Sequence, residues 1–259
     1  MAVIKEKDNS LVLKYEQATV ELRKKKLIPY ILSFGGVILF ITSIFLHSST
    51  KLNMIFFGLG AIGIFWVNLI NYLNPQLVQN SSDMLASGIR GETSTLELLS
   101  YLPDEYSIIP DLKIITKSGE SQIDFIVIGK SGIWIIENKN MKGYISGELK
   151  DRNWLKEKVS SGGNTYTDSF QSPVKQVGTH VFRLKEFLQE KGIKRIPWIQ
   201  GVVYFSDPQT QLNLGFTHAD FPVFSDANSL LEYIQGHSQR SSEFNTAQIV
   251  EAVWNISNT

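Results

Sequence analysis

Hydrophobic and polar positions follow two regimes along this chain. Residues 27–46, LIPYILSFGGVILFITSIFL, and residues 52–73, LNMIFFGLGAIGIFWVNLINYL, hold no charged side chain. Each stretch is about as long as a helix that crosses a bilayer. Only HSSTK, residues 47–51, separates them, which leaves room for a tight turn. Gly35, Gly36, Gly58, Gly60 and Gly63 would let two such helices approach closely. The pattern predicts a two-helix transmembrane hairpin over residues 27–73. Arg23 to Lys26 precede the first stretch, while the connection offers only Lys51 and a histidine. This asymmetry predicts a multi-pass membrane protein with two spans and both termini cytoplasmic. Residues 1–26 form a charged, helix-compatible segment, expected along the inner surface of the membrane with the lipid bilayer as partner. Asn, Pro and Ser mark residues 74–81 as a linker.

From residue 82 onward, short periodic elements replace the long apolar runs. SDMLASGIRGETSTLELLSY, residues 82–101, predicts a helix with Ser82 or Asp83 as N-cap and Leu85, Ile89, Leu96 and Leu99 among its apolar positions. Gly88 and Gly91 inside it imply a close approach or a bend near Glu92. YSIIPDLKIIT, residues 106–116, reads as a strand interrupted at Pro110. Val174, Val177, Val181, Leu184, Phe187 and Leu188 recur at helical spacing over 173–190, with Pro173 in the first turn and Gly192 past the end. A buried strand over 198–205, an edge strand at FPVFS and helices around 226–235 and 242–255 complete the series. The order predicts one α/β domain over residues 82–259, a mixed sheet flanked by helices.

Composition narrows the chemistry. Lysine and arginine number 25 against 25 acids, so the whole molecule has no bias toward a charged partner. Without cysteine there is no disulfide, thiolate metal site or cysteine nucleophile, and four histidines without an HExxH pattern give little support to a histidine zinc site.

The stretch QIDFIVIGKSGIWIIENKN, residues 122–140, places charge inside two apolar runs. GKSG at 129–132 is turn chemistry, which predicts an antiparallel hairpin of 122–128 with 133–139. If Ile128 pairs with Ile133, Asp124 comes opposite Glu137 and Gln122 opposite Lys139. Opposed Cβ atoms lie about 4.5–5.5 Å apart, so Asp124, Glu137 and Lys139 converge on one patch. Strict alternation puts Ile126, Ile128, Ile133 and Ile135 on one face and Ile123, Phe125, Val127, Trp134 and Ile136 on the other, the mark of a strand covered on both sides. Two carboxylates so close, partly out of water, repel unless a cation sits between them. Magnesium, which takes one or two carboxylates with waters and phosphate oxygens, fits two such acids, and Lys139 would hold a scissile phosphate or orient a water. The same spacing equally suits a buried ion pair of Lys139 with either acid, with no chemical role.

Glu92, Asp124 and ENK at 137–139, in that order, resemble the PD-(D/E)xK nuclease superfamily. More closely, GE at 91–92, the hairpin stretch, GYISG at 143–147, Trp154 and SPVKQVGTH at 172–180 resemble the nuclease-related domain (NERD) family over roughly residues 86–205. The resemblance implies a restriction-endonuclease-like fold and a nuclease dependent on Mg2+ (or Mn2+). By the same resemblance, Asp124 and Glu137 would be metal ligands, Glu92 the helix-borne acid completing the metal site, Lys139 the catalytic lysine, and Gln176 a polar helix residue near the active centre. Where family members usually carry Thr or Ser between acid and lysine, this chain has Asn138, on the face opposite to Glu137 and Lys139.

Residues 139–158 carry Lys139, Lys142, Lys150, Arg152, Lys156 and Lys158 against Glu148, Asp151 and Glu157. A phosphate backbone rewards such a patch, although most charge runs are solvated faces. SSGGNTYTDS, residues 160–169, reads as a flexible loop. Two expectations follow: a membrane-anchored, metal-dependent nuclease acting on nucleic acid, DNA foremost, or a catalytically silent nucleic-acid-binding or sensing module on the same fold.

Overall fold

The structure is a computed structural model that describes residues 1–5, 10–45, 55, 58–66, 69, 75–130, 132–159, 163, 165–215, 221–236 and 244–255. The chain divides into two compact units, one of Met1–Leu11 with Ser87–Thr259, the other of Val12–Ala86.

In the smaller unit, helix α1 (Ser10–Phe45) runs without a break from the charged segment into the first apolar stretch. Residues 58–66 are helical as well. A Cβ built at Gly36 would lie 3.2 Å from the Gly60 carbonyl oxygen, so small residues do bring the two backbones together. The membrane reading is corrected here: among the described residues, no helix is long and apolar enough to cross a membrane. The first apolar stretch is the second half of a helix whose first half carries Lys14, Glu16, Glu21 and the Arg23–Lys26 run. Much of the second stretch lies outside the described residues. The finding overturns the expectation of two spans and of a multi-pass membrane protein with cytoplasmic termini. Helix α2 (Pro75–Ser100) begins inside the stretch read as a linker and stays helical at Gly88 and Gly91.

The larger unit is mixed α/β, with two mixed sheets and flanking helices. Its main sheet has the order β1-β2-β3-β4-β8-β10, where β1 is Val3–Ile4, β2 Ser107–Thr116, β3 Gly119–Gly129, β4 Gly132–Lys139, β8 Ile199–Phe205 and β10 Val223–Phe224. β2, β3 and β4 pair antiparallel, whereas β1 joins β2, and β4, β8 and β10 join one another, in parallel. The crossover between β4 and β8 carries helix α3 (Pro173–Glu190) and most of a second sheet, order β7-β6-β5-β9, built from β5 (Gly143–Glu148), β6 (Asn153–Val159), β7 (Thr165–Gln171) and β9 (Thr210–Gly215). Residues 165–169, read from the sequence as part of a loop, are therefore strand; all are solvent-exposed and show no apolar alternation that would have marked them.

Both faces of the main sheet are covered. On one, Ile126, Ile128, Ile133 and Ile135 pack with Val177, Leu184 and Leu188 of α3 and with Ile249 and Val253 of helix α5 (Thr246–Trp254). On the other, Phe125, Val127, Trp134 and Ile136 pack with Leu99 of α2 and with Leu230 and Ile234 of helix α4 (Ala227–Gly236). Burial on both sides explains the nearly continuous apolar runs of β3 and β4.

Candidate active site in the strand fork

The hairpin register is the expected one: Ile128 pairs with Ile133, Ile126 with Ile135 and Phe125 with Ile136. There the ladder stops. β4 continues along β8 as far as the Lys139–Phe205 pair, so the strands part where Asp124 and Glu137 would have been the next pair. Asp124 fills the opening by accepting the Asn138 backbone N–H at 2.8 Å on Oδ2. On its other side the β2–β3 ladder has Pro110 with Phe125 and Leu112 with Ile123, skipping Asp111 and Asp124. Asp111 has φ 51, a left-handed conformation that kinks β2 opposite the acid. Asp124 is thus left out of both ladders.

The kink has a second effect. Ile123 and Leu112 pack in the cluster of Ile126 and Ile128, whereas strict alternation would place Ile123 with Phe125. The face assigned to Ile123 from the sequence is corrected: side-chain parity shifts at Asp111 and Asp124. Nor does Gln122 meet Lys139; its amide donates to Asp111, and its strand partner is Lys113.

Glu137 is 1% exposed. Lys139 Nζ stands 2.6 Å from Glu137 Oε1 and donates to Gln176 Oε1 at 3.1 Å. Gln176 lies in the first turns of α3, which Pro173 starts directly after the buried Ser172. One turn further, His180 Nε2 lies 3.2 Å from Glu137 Oε2. The sequence reading passed over His180; its signal was the spacing of four from Gln176, which puts both on one helix face.

Helix α2 is pinned beside this fork. A Cβ at Gly91 would run into Asn140 Cβ and lie 2.9 Å from Ser206 Oγ, so only glycine permits the approach. The Asn138 side-chain oxygen accepts from Thr95 Oγ1 at 3.0 Å, and Asn140 donates to the Ser87 carbonyl at 2.5 Å. Asn138 therefore serves helix packing, on the face away from Glu137. The next residue after Gly91 is Glu92, whose charge reaches Asp124.

Electrostatics single out Asp124. Burial first, then the neighbouring Glu137 and to a lesser degree Glu92, push its carboxyl up from 3.8 to about 7, against the opposing pull of the Asn138 N–H and Lys139. Glu137 Oε2 is buried without a hydrogen bond of good geometry. Two acids close enough for the charge of Glu137 to push the Asp124 carboxyl up leave the site short of positive charge, and that donor chemistry fits a hard divalent cation. Asp124 and Glu137 are the residues that would hold it. Among the described residues, no group of three or more Asp, Glu, His or Cys side chains is placed to hold a metal ion.

The model of the family described as nuclease-related domain matches residues 87–206. By this match, residues 87–206 are similar to the nuclease-related domain family. An uncharacterized protein of Bacillus anthracis is 30% identical over 106 residues, which cover 40% of this chain and 48% of that protein. The chain thus spans about half the length of this curated relative. No solved structure matches. All five candidates, Glu92, Asp124, Glu137, Lys139 and Gln176, lie inside the matched segment. So does Trp154, which is a core residue: it is fully buried, donates Nε1–H to the Glu148 carbonyl at 2.9 Å and stacks on Phe205.

Proposed function

We propose that the nuclease-related domain adopts a restriction-endonuclease-like arrangement and hydrolyses phosphodiester bonds of nucleic acid, with DNA as substrate and Mg2+ or Mn2+ as the required cation. The observation that carries this reading is the fork itself. Asp124 and Glu137 lie where the ladder opens, near enough for the charge of Glu137 to act on Asp124, and Lys139 Nζ bridges Glu137 Oε1 and Gln176 Oε1. When bound, the cation would supply Lewis-acid polarisation of a phosphoryl oxygen and a more acidic water. Asp124 and Glu137 would hold it, and Glu92 would add negative charge from the helix side. Lys139, a cation 23% exposed whose ammonium donates to Gln176, would hold a phosphate oxygen or orient a water.

Substrate affinity in this reading comes from the second sheet. Lys156 and Lys158 point to one face of β6, and burial followed by the charge of Lys158 pushes the Lys156 ammonium down, with Lys142 adding to it. Lys158 also pairs with Asp168 across the β6–β7 ladder, which offsets part of the excess charge. Phosphate contacts of this kind give affinity without sequence preference.

The second reading is a silent binding or sensing module on the same fold. A labelled DNA panel incubated with the full chain and Mg2+ or Mn2+, beside a chelated control and an E137A/K139A double variant, separates the readings. The expected result is metal-dependent cutting that the double variant loses. Retained DNA binding with no cutting under any metal would overturn the nuclease and favour the module.

A further inference from the structure

Helix α3 presents Val177, Leu184 and Leu188 to the apolar cluster. Two polar side chains interrupt that face, Gln176 and His180. Gln176 is accounted for by Lys139. His180 is 6% exposed, and neither ring nitrogen makes a hydrogen bond of good geometry. Its Nε2 nonetheless stands 3.2 Å from Glu137 Oε2, itself a buried oxygen without a well-formed hydrogen bond. Distance is satisfied and angle is not, so a modest ring rotation joins two groups that each lack a partner. A leucine here would leave no ring nitrogen unsatisfied but would strand Glu137 Oε2, and the carboxylate is what gives an imidazole a use at this depth.

The two oxygens of Glu137 then have separate holders: Lys139 on Oε1 and His180 on Oε2. A carboxylate held at one oxygen can swing about that contact. Held at both, it has a fixed plane relative to Asp124. We infer that His180 is a positioning residue whose Nε2–H fixes the Glu137 carboxylate for the cation. This rests on the reading of Asp124 and Glu137 as cation ligands. Partners that orient a ligand from behind alter metal affinity by about 10–100-fold when removed.

The test uses the full chain with three side chains at position 180: the native histidine, His180→Leu, which removes both ring nitrogens at similar bulk, and His180→Gln, which keeps an N–H at comparable reach. Mn2+ affinity is measured by titration calorimetry and folding by thermal unfolding in EDTA. His180→Leu is expected to stay folded with a modestly lower unfolding temperature and to bind Mn2+ about tenfold more weakly, with His180→Gln recovering most of both losses. A His180→Leu protein with the parent Kd would overturn the inference. The imidazole proton is read independently by 15N NMR in metal-free protein, where it is expected on Nε2, with that preference lost in Glu137→Leu. A bare Nε2 overturns the positioning role whatever the calorimetry gives. A parent chain that binds no Mn2+ removes the cation reading instead, and leaves the NMR result to decide the His180–Glu137 contact.

Discussion

An acid whose folded-state pKa lies near 7 binds a proton that its unfolded counterpart has already released. For Asp124, raised from 3.8 to about 7, the folded state holds more protons between those values. Stability attached to this group is therefore complete below about pH 4 and is lost as pH rises through about 7. In metal-free protein, Asp124→Asn is expected to remove that loss and to be more stable than the parent at pH 8 by on the order of 1–3 kcal/mol in urea denaturation. Asparagine keeps the acceptor for the Asn138 N–H while removing the charge, so the gain in stability accompanies a loss of any cation-dependent activity. Lys139 gives the converse case. Lys139→Met leaves the Glu137 carboxylate buried with its nearest cation removed, at a cost of about 2–4 kcal/mol, and Glu137→Gln in the same chain is expected to recover part of it. A double-mutant cycle by chemical denaturation checks the sign; additive effects would mean that the pair is not coupled.

Between elements, the site depends on how closely α2 approaches the end of β4. Gly91→Ala forces a Cβ onto Asn140 and is expected to lower stability by about 1–3 kcal/mol in calorimetry. Gly88→Ala, with nothing within 4 Å of the new carbon, is expected to be neutral or to gain up to about 1 kcal/mol. What was legible in the sequence follows the same division between local and distant causes. The register of β3 with β4 is set by the GKSG turn and by apolar alternation, both local, and it was readable, as were α3 and the β8 strand. The end of the ladder at Phe125 was not. It depends on the left-handed Asp111 of a neighbouring strand and on β4 preferring β8. The second sheet was also hidden, because β6 and β7 carry charged and polar residues on exposed faces and gain their pairing from one another. Asp124, Glu137 and Lys139 were found because charge inside an apolar run is conspicuous; His180 was not, because a histidine on a helix face has no such contrast.

Taken whole, the molecule is electrically neutral, with 25 basic and 25 acidic residues, so nucleic-acid affinity would have to come from a local surface. Binding measured against salt would then show a shallow slope set by few contacts. Removing Lys142 and Lys156 together is expected to flatten log K against log salt by about 1–2. An unchanged slope would place the contact surface elsewhere. The same scale brings out what β1 does. Val3 and Ile4 pair with Ser107 and Ile108, and Ala2 is buried in the cluster of Leu99 and Phe125. Residues 12–86 are thus an excursion between two pieces of a single folded body rather than a preface to it. Trimming the chain back to residue 87 would discard a staple and bare the hydrogen-bonding edge of β2, an invitation for a second molecule to add its own strand.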